Sequence, residues 1–168
     1  MDAIRIAGVS GESVVDGPGL RYVIFAQGCS HHCRGCHNPE TWDPAGGREI
    51  TVEEILDGIR SNPLLQGVTL TGGDPFLQAG PLGELALRAK EMGKDVITYT
   101  GYTWEQVRDM AGEDERVKIL LYNSDILVDG PYIHDQRDLK LVFRGSANQR
   151  VIDVGASLES GRVVLVDW

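Results

Sequence analysis

At 168 residues the chain has the length of one domain and can bury a working core, but it falls short of the about 250 residues of a complete eight-fold β/α barrel. Lysine and arginine number 16 against 25 aspartates and glutamates, a formal charge of −9. That is the wrong sign for a broad phosphate-gripping face, so no nucleic-acid partner is expected. The opening MDAIRIAGVS has no basic region ahead of a long apolar run, and no later segment approaches the roughly 18 apolar residues of a membrane span; a cytoplasmic protein with no membrane partner is expected.

Leu20 to Ala26 (LRYVIFA) supplies a strand directly before the cysteines. Thr51-Val-Glu-Glu54 is a capping box opening a helix to about Arg60, and Val68-Thr-Leu-Thr71 then reads as a short buried strand. A second helix, roughly Leu82 to Met92, is stopped by Gly93 and followed by the strand Asp95-Val-Ile-Thr-Tyr99. Thr103-Trp-Glu-Gln106 looks like another capping box, the charges from Glu113 to Lys118 read as a solvated helix or loop face, and Ile126-Leu-Val128 is a further strand. Leu141-Val-Phe143, Val151-Ile-Asp-Val154 and Arg162-Val-Val-Leu-Val166 have β character without a clear place. No repeat or Pro/Gly/Ser-rich linker divides the chain, which reads as one domain over 1–168.

Strands separated by helices imply a parallel sheet with crossover connections, in an open or partial α/β barrel. In such folds the loops at the C-terminal ends of the strands build the site. Gly28-Cys29, Gly72-Gly73-Asp74-Pro75, Thr100-Gly101-Tyr102 and Asp129-Gly130 all fall there, so four motifs are expected to converge on one mouth.

The three cysteines lie in Cys29-Ser-His-His-Cys33-Arg-Gly-Cys36, spacing C-x3-C-x2-C. Their number cannot complete a set of internal disulfides, and the clustering points to metal or redox chemistry. Thiolates this close suit an iron–sulfur cluster wrapped by one loop, with one iron of a four-iron cluster left for a small molecule. A structural Cys3His zinc site, with His31, His32 or His37 as fourth ligand, competes with it. Spacing alone leaves the two open, though zinc sites usually draw on two separated knuckles. Each histidine taken singly reads as a surface or supporting residue.

The cysteine loop after a first strand, with GGDP after the next, resembles the radical S-adenosylmethionine superfamily. There three cysteines bind a [4Fe-4S] cluster and S-adenosylmethionine chelates the fourth iron. Asp16-Gly-Pro-Gly-Leu-Arg21 looks like the signature of activases for glycyl-radical enzymes. Tyr99-Thr-Gly-Tyr102, Leu127-Val-Asp-Gly-Pro-Tyr132 and the segment from Arg144 to Arg150 resemble the activases of anaerobic ribonucleoside-triphosphate reductases, from about residue 5 onward.

The resemblance implies a single-domain incomplete β/α barrel and Cys29, Cys33 and Cys36 as ligands of one [4Fe-4S] cluster. It implies S-adenosyl-L-methionine held by Gly35, Cys36, His37, Gly72, Gly73, Asp74 and Thr100. The implied partners are a large anaerobic ribonucleotide reductase subunit and a low-potential electron donor of the flavodoxin or ferredoxin kind. The slot before the last cysteine, often aromatic in the superfamily, is Gly35, with His37 following.

Alone, GGDP and DGPG are turns. Beside a cluster, the glycines let backbone carbonyls approach an ammonium group, and Asp74 adds negative charge near a cationic substrate. Asp16 to Gly19 is expected beside the radical site. Arg21 is expected to orient a carboxylate or to form a salt bridge. Tyr102 is expected to line the pocket or to pack, and Asp129 and the segment from Arg144 to Gln149 to help the ligand or dock the partner. An activase of a formate-lyase type is the nearest rival, which the Arg144-Gly-Ser-Ala-Asn-Gln segment argues against. A zinc-stabilised binding module that forms no radical is the rival of another class.

Overall fold

The computed structural model describes residues 3–168; Met1 and Asp2 of the opening segment lie outside them. Among the described residues seven strands form one sheet. They are β1 (Ala3–Ser13), β2 (Arg21–Ala26), β3 (Arg48–Thr51), β4 (Gly67–Gly72), β5 (Asp95–Tyr99), β6 (Ile126–Asp129) and β7 (Arg150–Asp153). Their spatial order is β3-β1-β2-β4-β5-β6-β7, an open sheet whose edges are β3 and β7. Five α-helices among the described residues, α1 (Val52–Arg60), α2 (Ala79–Glu91), α3 (Trp104–Glu113), α4 (Glu115–Tyr122) and α5 (Val154–Ser160), connect or follow the strands.

The central strands β2, β4, β5 and β6 run parallel, with Ile24 beside Leu70, Leu70 beside Thr98 and Thr98 beside Leu127. Outside them the pairing turns antiparallel: β1 on β2, β3 on β1 and β7 on β6. The expected parallel sheet is therefore parallel only at its centre. Strands β1 and β3 had no counterpart in the sequence reading, because Gly8 and Gly11 interrupt the alternation begun at Ile4 and Ile6, and bulges follow Ile6 and Ser10.

One face of the sheet is covered by helices. Helix α1 buries Val52, Ile55, Leu56 and Ile59 at helical spacing, and α2 buries Leu82, Leu85, Ala86 and Ala89. Each such side chain contributes up to about 1.5–3 kcal/mol. Residues of β2 and β4 alternate accordingly: Ile24 and Leu70 join this core, while Arg21 and Thr69 point to the other face. That other face carries a smaller cluster of Ile97, Val128 and Val151, packed by Tyr99, Val166 and Trp168.

The Thr51 hydroxyl accepts Glu54 N (3.1 Å) at the start of α1, and the Thr103–Gln106 capping box is complete in both directions. Helix α2 begins at Ala79, three residues before the expected Leu82; Pro81 falls in its first turn, where the missing N–H is no loss. The Glu113 to Lys118 region holds the start of α4, capped by Asp114 and anchored by buried Val117, Leu120 and Leu121. Leu141 to Phe143 is loop, with Phe143 at φ 59. Val151 to Asp153 forms most of β7, and the last stretch touches it through Asp153 N to Val164 O and Val166 N to Val151 O, both 2.8 Å.

Candidate functional site

Gly28, at φ 106, turns the chain out of β2, and residues 29–42 loop out and return to the strand end. Gly28 N donates to Thr41 O (2.6 Å) and Cys29 N to Trp42 O (3.1 Å), closing the loop on itself. The β4 strip is strapped to its base: Gly73 N donates to Ala26 O and Asp74 N to Gly28 O, both 2.8 Å. Gly72 (φ 98) and Gly73 are required by this closeness, since a Cβ on Gly72 would stand 2.5 Å from Ala26 N and one on Gly73 would collide with Gly28 O.

Cys29, Cys33 and Cys36 are half-buried free thiols. All three border one cavity of about 220 Å³, together with His37, Gly72, Gly73 and Thr100. Gly130 and Tyr132 from the loop after β6, and Gly145 and Gln149, complete its wall. The expected convergence of loops after β2, β4, β5 and β6 is thus realised. Gly35, at φ 76, stands behind that wall: a Cβ there would meet His134 Nδ1 at 2.7 Å and Tyr132 at 3.4 Å. Burial pushes the Cys29 thiol up, against backbone hydrogen bonds from His31 and His32, with Asp74 and Cys33 adding to the rise.

The donor set fits a thiolate-bound cluster: three thiols of one loop border one cavity that Gly72, Gly73, Thr100 and Gly101 also line. Among the described residues no three His, Cys, Asp or Glu side chains group around a single-ion site. The histidines have other partners. His31 bonds Asp74, His32 stacks on Trp42 (4.6 Å), His37 tilts against Tyr132 (5.3 Å), and His134 Nδ1 shares a hydrogen bond with Tyr132 OH (3.3 Å). Two of them, His31 and His37, border the same cavity as the thiols, each engaged by its own partner.

Asp74 departs from its expected role. Its side chain is fully buried and both oxygens are engaged. Oδ1 accepts Phe76 N (3.0 Å) and Thr100 Oγ1 (3.0 Å), while Oδ2 accepts Thr100 Oγ1 (2.8 Å), Gly101 N (3.0 Å) and His31 Nε2 (2.6 Å). No open carboxylate faces the cavity from this position; the short Asp side chain turns back into the loops. His31, read from sequence as one histidine among several, sits in this hub and packs edge-on against Tyr102 (4.5 Å).

Asp129 also serves the framework. At 1 % exposure it accepts Trp104 N (2.7 Å), Arg150 N (3.1 Å) and the Arg150 guanidinium (2.5 Å), tying α3 and β7 to β6. Its partner Arg150 holds Glu105 below the usual carboxylate range. The segment from Arg144 to Gln149 folds onto the β6 loop through Gln149 Nε2 to Gly130 O (3.1 Å) and Asn148 Nδ2 to Pro131 O (2.7 Å).

Arg21 is wholly buried and makes the salt bridge to Asp95 (2.5 Å), with further bonds to Thr69 Oγ1 (2.8 Å) and Pro18 O (3.0 Å). The Asp16 to Gly19 loop starts β2, at the end of that strand opposite Cys29, and lies over the helix-free face against Ile97. Tyr99 borders the cavity, and burial, with the Asp16 charge adding to it, raises its phenol.

Residues 15–152 match the family model of a 4Fe-4S single cluster domain. The anaerobic ribonucleoside-triphosphate reductase-activating protein of Vibrio cholerae is 38% identical over 144 residues, 81% of this chain and 89% of that protein. Those of Escherichia coli K12 (34% over 146 residues, 82% and 91%) and of Enterobacteria phage T4 (36% over 143 residues, 82% and 86%) are similar over the same extent.

Proposed function

The chain belongs to the family of anaerobic ribonucleoside-triphosphate reductase-activating proteins, with a 4Fe-4S single cluster domain, and from that premise we propose that it generates a glycyl radical on the large subunit of such a reductase. Cys29, Cys33 and Cys36 would hold a [4Fe-4S] cluster, which would supply the one-electron reduction of S-adenosylmethionine that starts radical chemistry at a glycine of the reductase.

The observation that carries this reading is the shared cavity of Cys29, Cys33, Cys36, Gly72, Gly73 and Thr100. The three thiolates hold the cluster. Gly72 and Gly73 place backbone against the methionyl end, Asp74 holds that strip from behind, Cys36, His37 and Thr100 border the rest of the cofactor, and Gly35 backs the wall through Tyr132. Trp42 and Tyr132 supply aromatic wall to the cavity. The open sheet, with helices on one face and four parallel strands at its centre, supports an incomplete β/α barrel whose missing wall the reductase supplies. A flavodoxin- or ferredoxin-like donor provides the electron, in the cytoplasm.

The test is anaerobic reconstitution of the protein and of Cys29→Ala, Cys33→Ala and Cys36→Ala, followed by iron and sulfide assay and 5′-deoxyadenosine measurement under a strong reductant. Four irons and four sulfides per chain and turnover lost in each variant are expected. Zinc without iron or sulfide, or turnover retained in all three variants, refutes the reading.

A further inference from the structure

Asp74 is an acceptor surrounded by donors from three separate loops. Its own N–H is bonded to Gly28 at the base of the cysteine loop, and its carboxylate takes Thr100 and Gly101 from the loop after β5. Phe76 N of its own loop is a further partner, and the last is His31, which lies between Cys29 and Cys33 and reaches Oδ2 at 2.6 Å. His31 is placed as closely as the carboxylate. Its side chain is 16 % exposed and its ring packs against Tyr102 at 76°. It also occupies the space beside Gly101, where a Cβ would come within 2.5 Å of His31 Cδ2.

Resting on the function proposed above, we propose that His31 is a positioning residue. Through Asp74 it fixes the cysteine loop at one spacing from the Gly72-Gly73 strip and the Thr100-Gly101 turn. The cluster's open iron and the strip that holds the methionyl end must be set to each other for S-adenosylmethionine to bind both at once, and the His31–Asp74 bond is the side-chain link that spans them. His31 borders the cavity as well, but in this role it acts through Asp74 and makes no bond to substrate or cluster. A free ligand carboxylate at Asp74 is unnecessary to it, and backbone carbonyls of the strip are left to receive the ammonium group.

The test uses anaerobically reconstituted protein and three readouts: iron and sulfide content, the S-adenosylmethionine dissociation constant, and the change that S-adenosylmethionine produces in the electron paramagnetic resonance spectrum of the reduced cluster. Loss of one charge-assisted hydrogen bond in a buried site corresponds to about 10- to 100-fold in the equilibrium it biases. His31→Ala is therefore expected to keep its iron, to bind S-adenosylmethionine about 10- to 100-fold more weakly, and to show a diminished spectral response. His31→Gln, whose amide N–H can bond Asp74, is expected to bind within about threefold of the unsubstituted protein. Gly101→Ala, which displaces the ring, is expected to weaken binding in the unsubstituted background and to have no further effect on His31→Ala.

Unchanged affinity and spectrum in His31→Ala, or equal losses in His31→Gln and His31→Ala, overturn the proposal. If His31→Ala fails to take up iron, recovery of loading and binding in His31→Gln supports it and failure of that recovery overturns it. Absence of S-adenosylmethionine binding by the unsubstituted holoprotein overturns the functional reading and the proposal with it, whereas tight binding retained by His31→Ala overturns the proposal alone.

Discussion

Gly73→Ala separates backbone crowding from ordinary glycine effects. A Cβ at this position collides with Gly28 O and stands 2.8 Å from Gly28 C and 3.0 Å from Thr41 O, all backbone atoms that no rotamer change can move. The strip must lift from the base of the cysteine loop, stretching Gly73 N to Ala26 O and Asp74 N to Gly28 O. Overpacking costs about 1–3 kcal/mol and each weakened hydrogen bond about 1 kcal/mol, so the loss is about 2–4 kcal/mol. In urea that lowers the midpoint by about 1–2 M. The control is Gly112→Ala in α3, where a Cβ meets nothing within 4 Å and the helix gains about 0.5–1 kcal/mol. Equilibrium urea unfolding of both variants as apoproteins decides the matter. A Gly73→Ala midpoint within about 0.3 M of the unsubstituted protein, where a loss of that size is absent, refutes the claim that this glycine is demanded by contact between the two loops.

Asp129→Asn leaves α3 and β7 without the carboxylate that joins them; because Arg150 stays one-third exposed and keeps Glu105, the expected loss is about 2 kcal/mol in urea unfolding, and S-adenosylmethionine affinity in the loaded protein is expected to hold. Tyr99 supplies a pH test. Burial raises its phenol, so the fold favours the protonated form; the unfolded chain releases that proton near pH 10, and stability is expected to fall as pH rises above about 10. Tyr99→Phe lacks this contribution and loses the bond to Phe143 O, costing about 1 kcal/mol at neutral pH. Its urea midpoint is expected to decline less steeply between about pH 9 and 11, and equal slopes refute the assignment.

The parallel centre of the sheet was legible because each of its strands is a short apolar run bounded by a glycine or by turn residues: Asp95 to Tyr99 was placed residue for residue, and the strands ending at Ala26, Gly72 and Asp129 to within a residue or so at each end. The antiparallel margins were not, since β1 carries glycines and bulges, and β3 is four residues of which the first two, Arg48 and Glu49, are exposed. Helix α4 left its signal in Val117, Leu120 and Leu121, at i, i+3 and i+4, beneath a run of charges that drew attention to solvent.

At the site, chain position on strand ends sufficed to bring Cys29, Gly72, Gly73 and Thr100 together. What spacing could not convey is where short polar side chains turn. Asp74 follows β4 and Asp129 ends β6, and both turn inward to backbone donors of neighbouring segments, Gly101 N and Trp104 N. His31 has no periodic signature; its role emerges only once the loops after β2, β4 and β5 lie side by side.

The most direct measurement is electron paramagnetic resonance of the anaerobic reductase after incubation with this protein, S-adenosylmethionine and a low-potential reductant. A glycyl doublet on the reductase, absent when any one of the three is omitted and absent with each of Cys29→Ala, Cys33→Ala and Cys36→Ala, is the expected result. A reduced cluster with no doublet on the reductase, or a doublet raised instead on a formate-lyase-type partner, contradicts it.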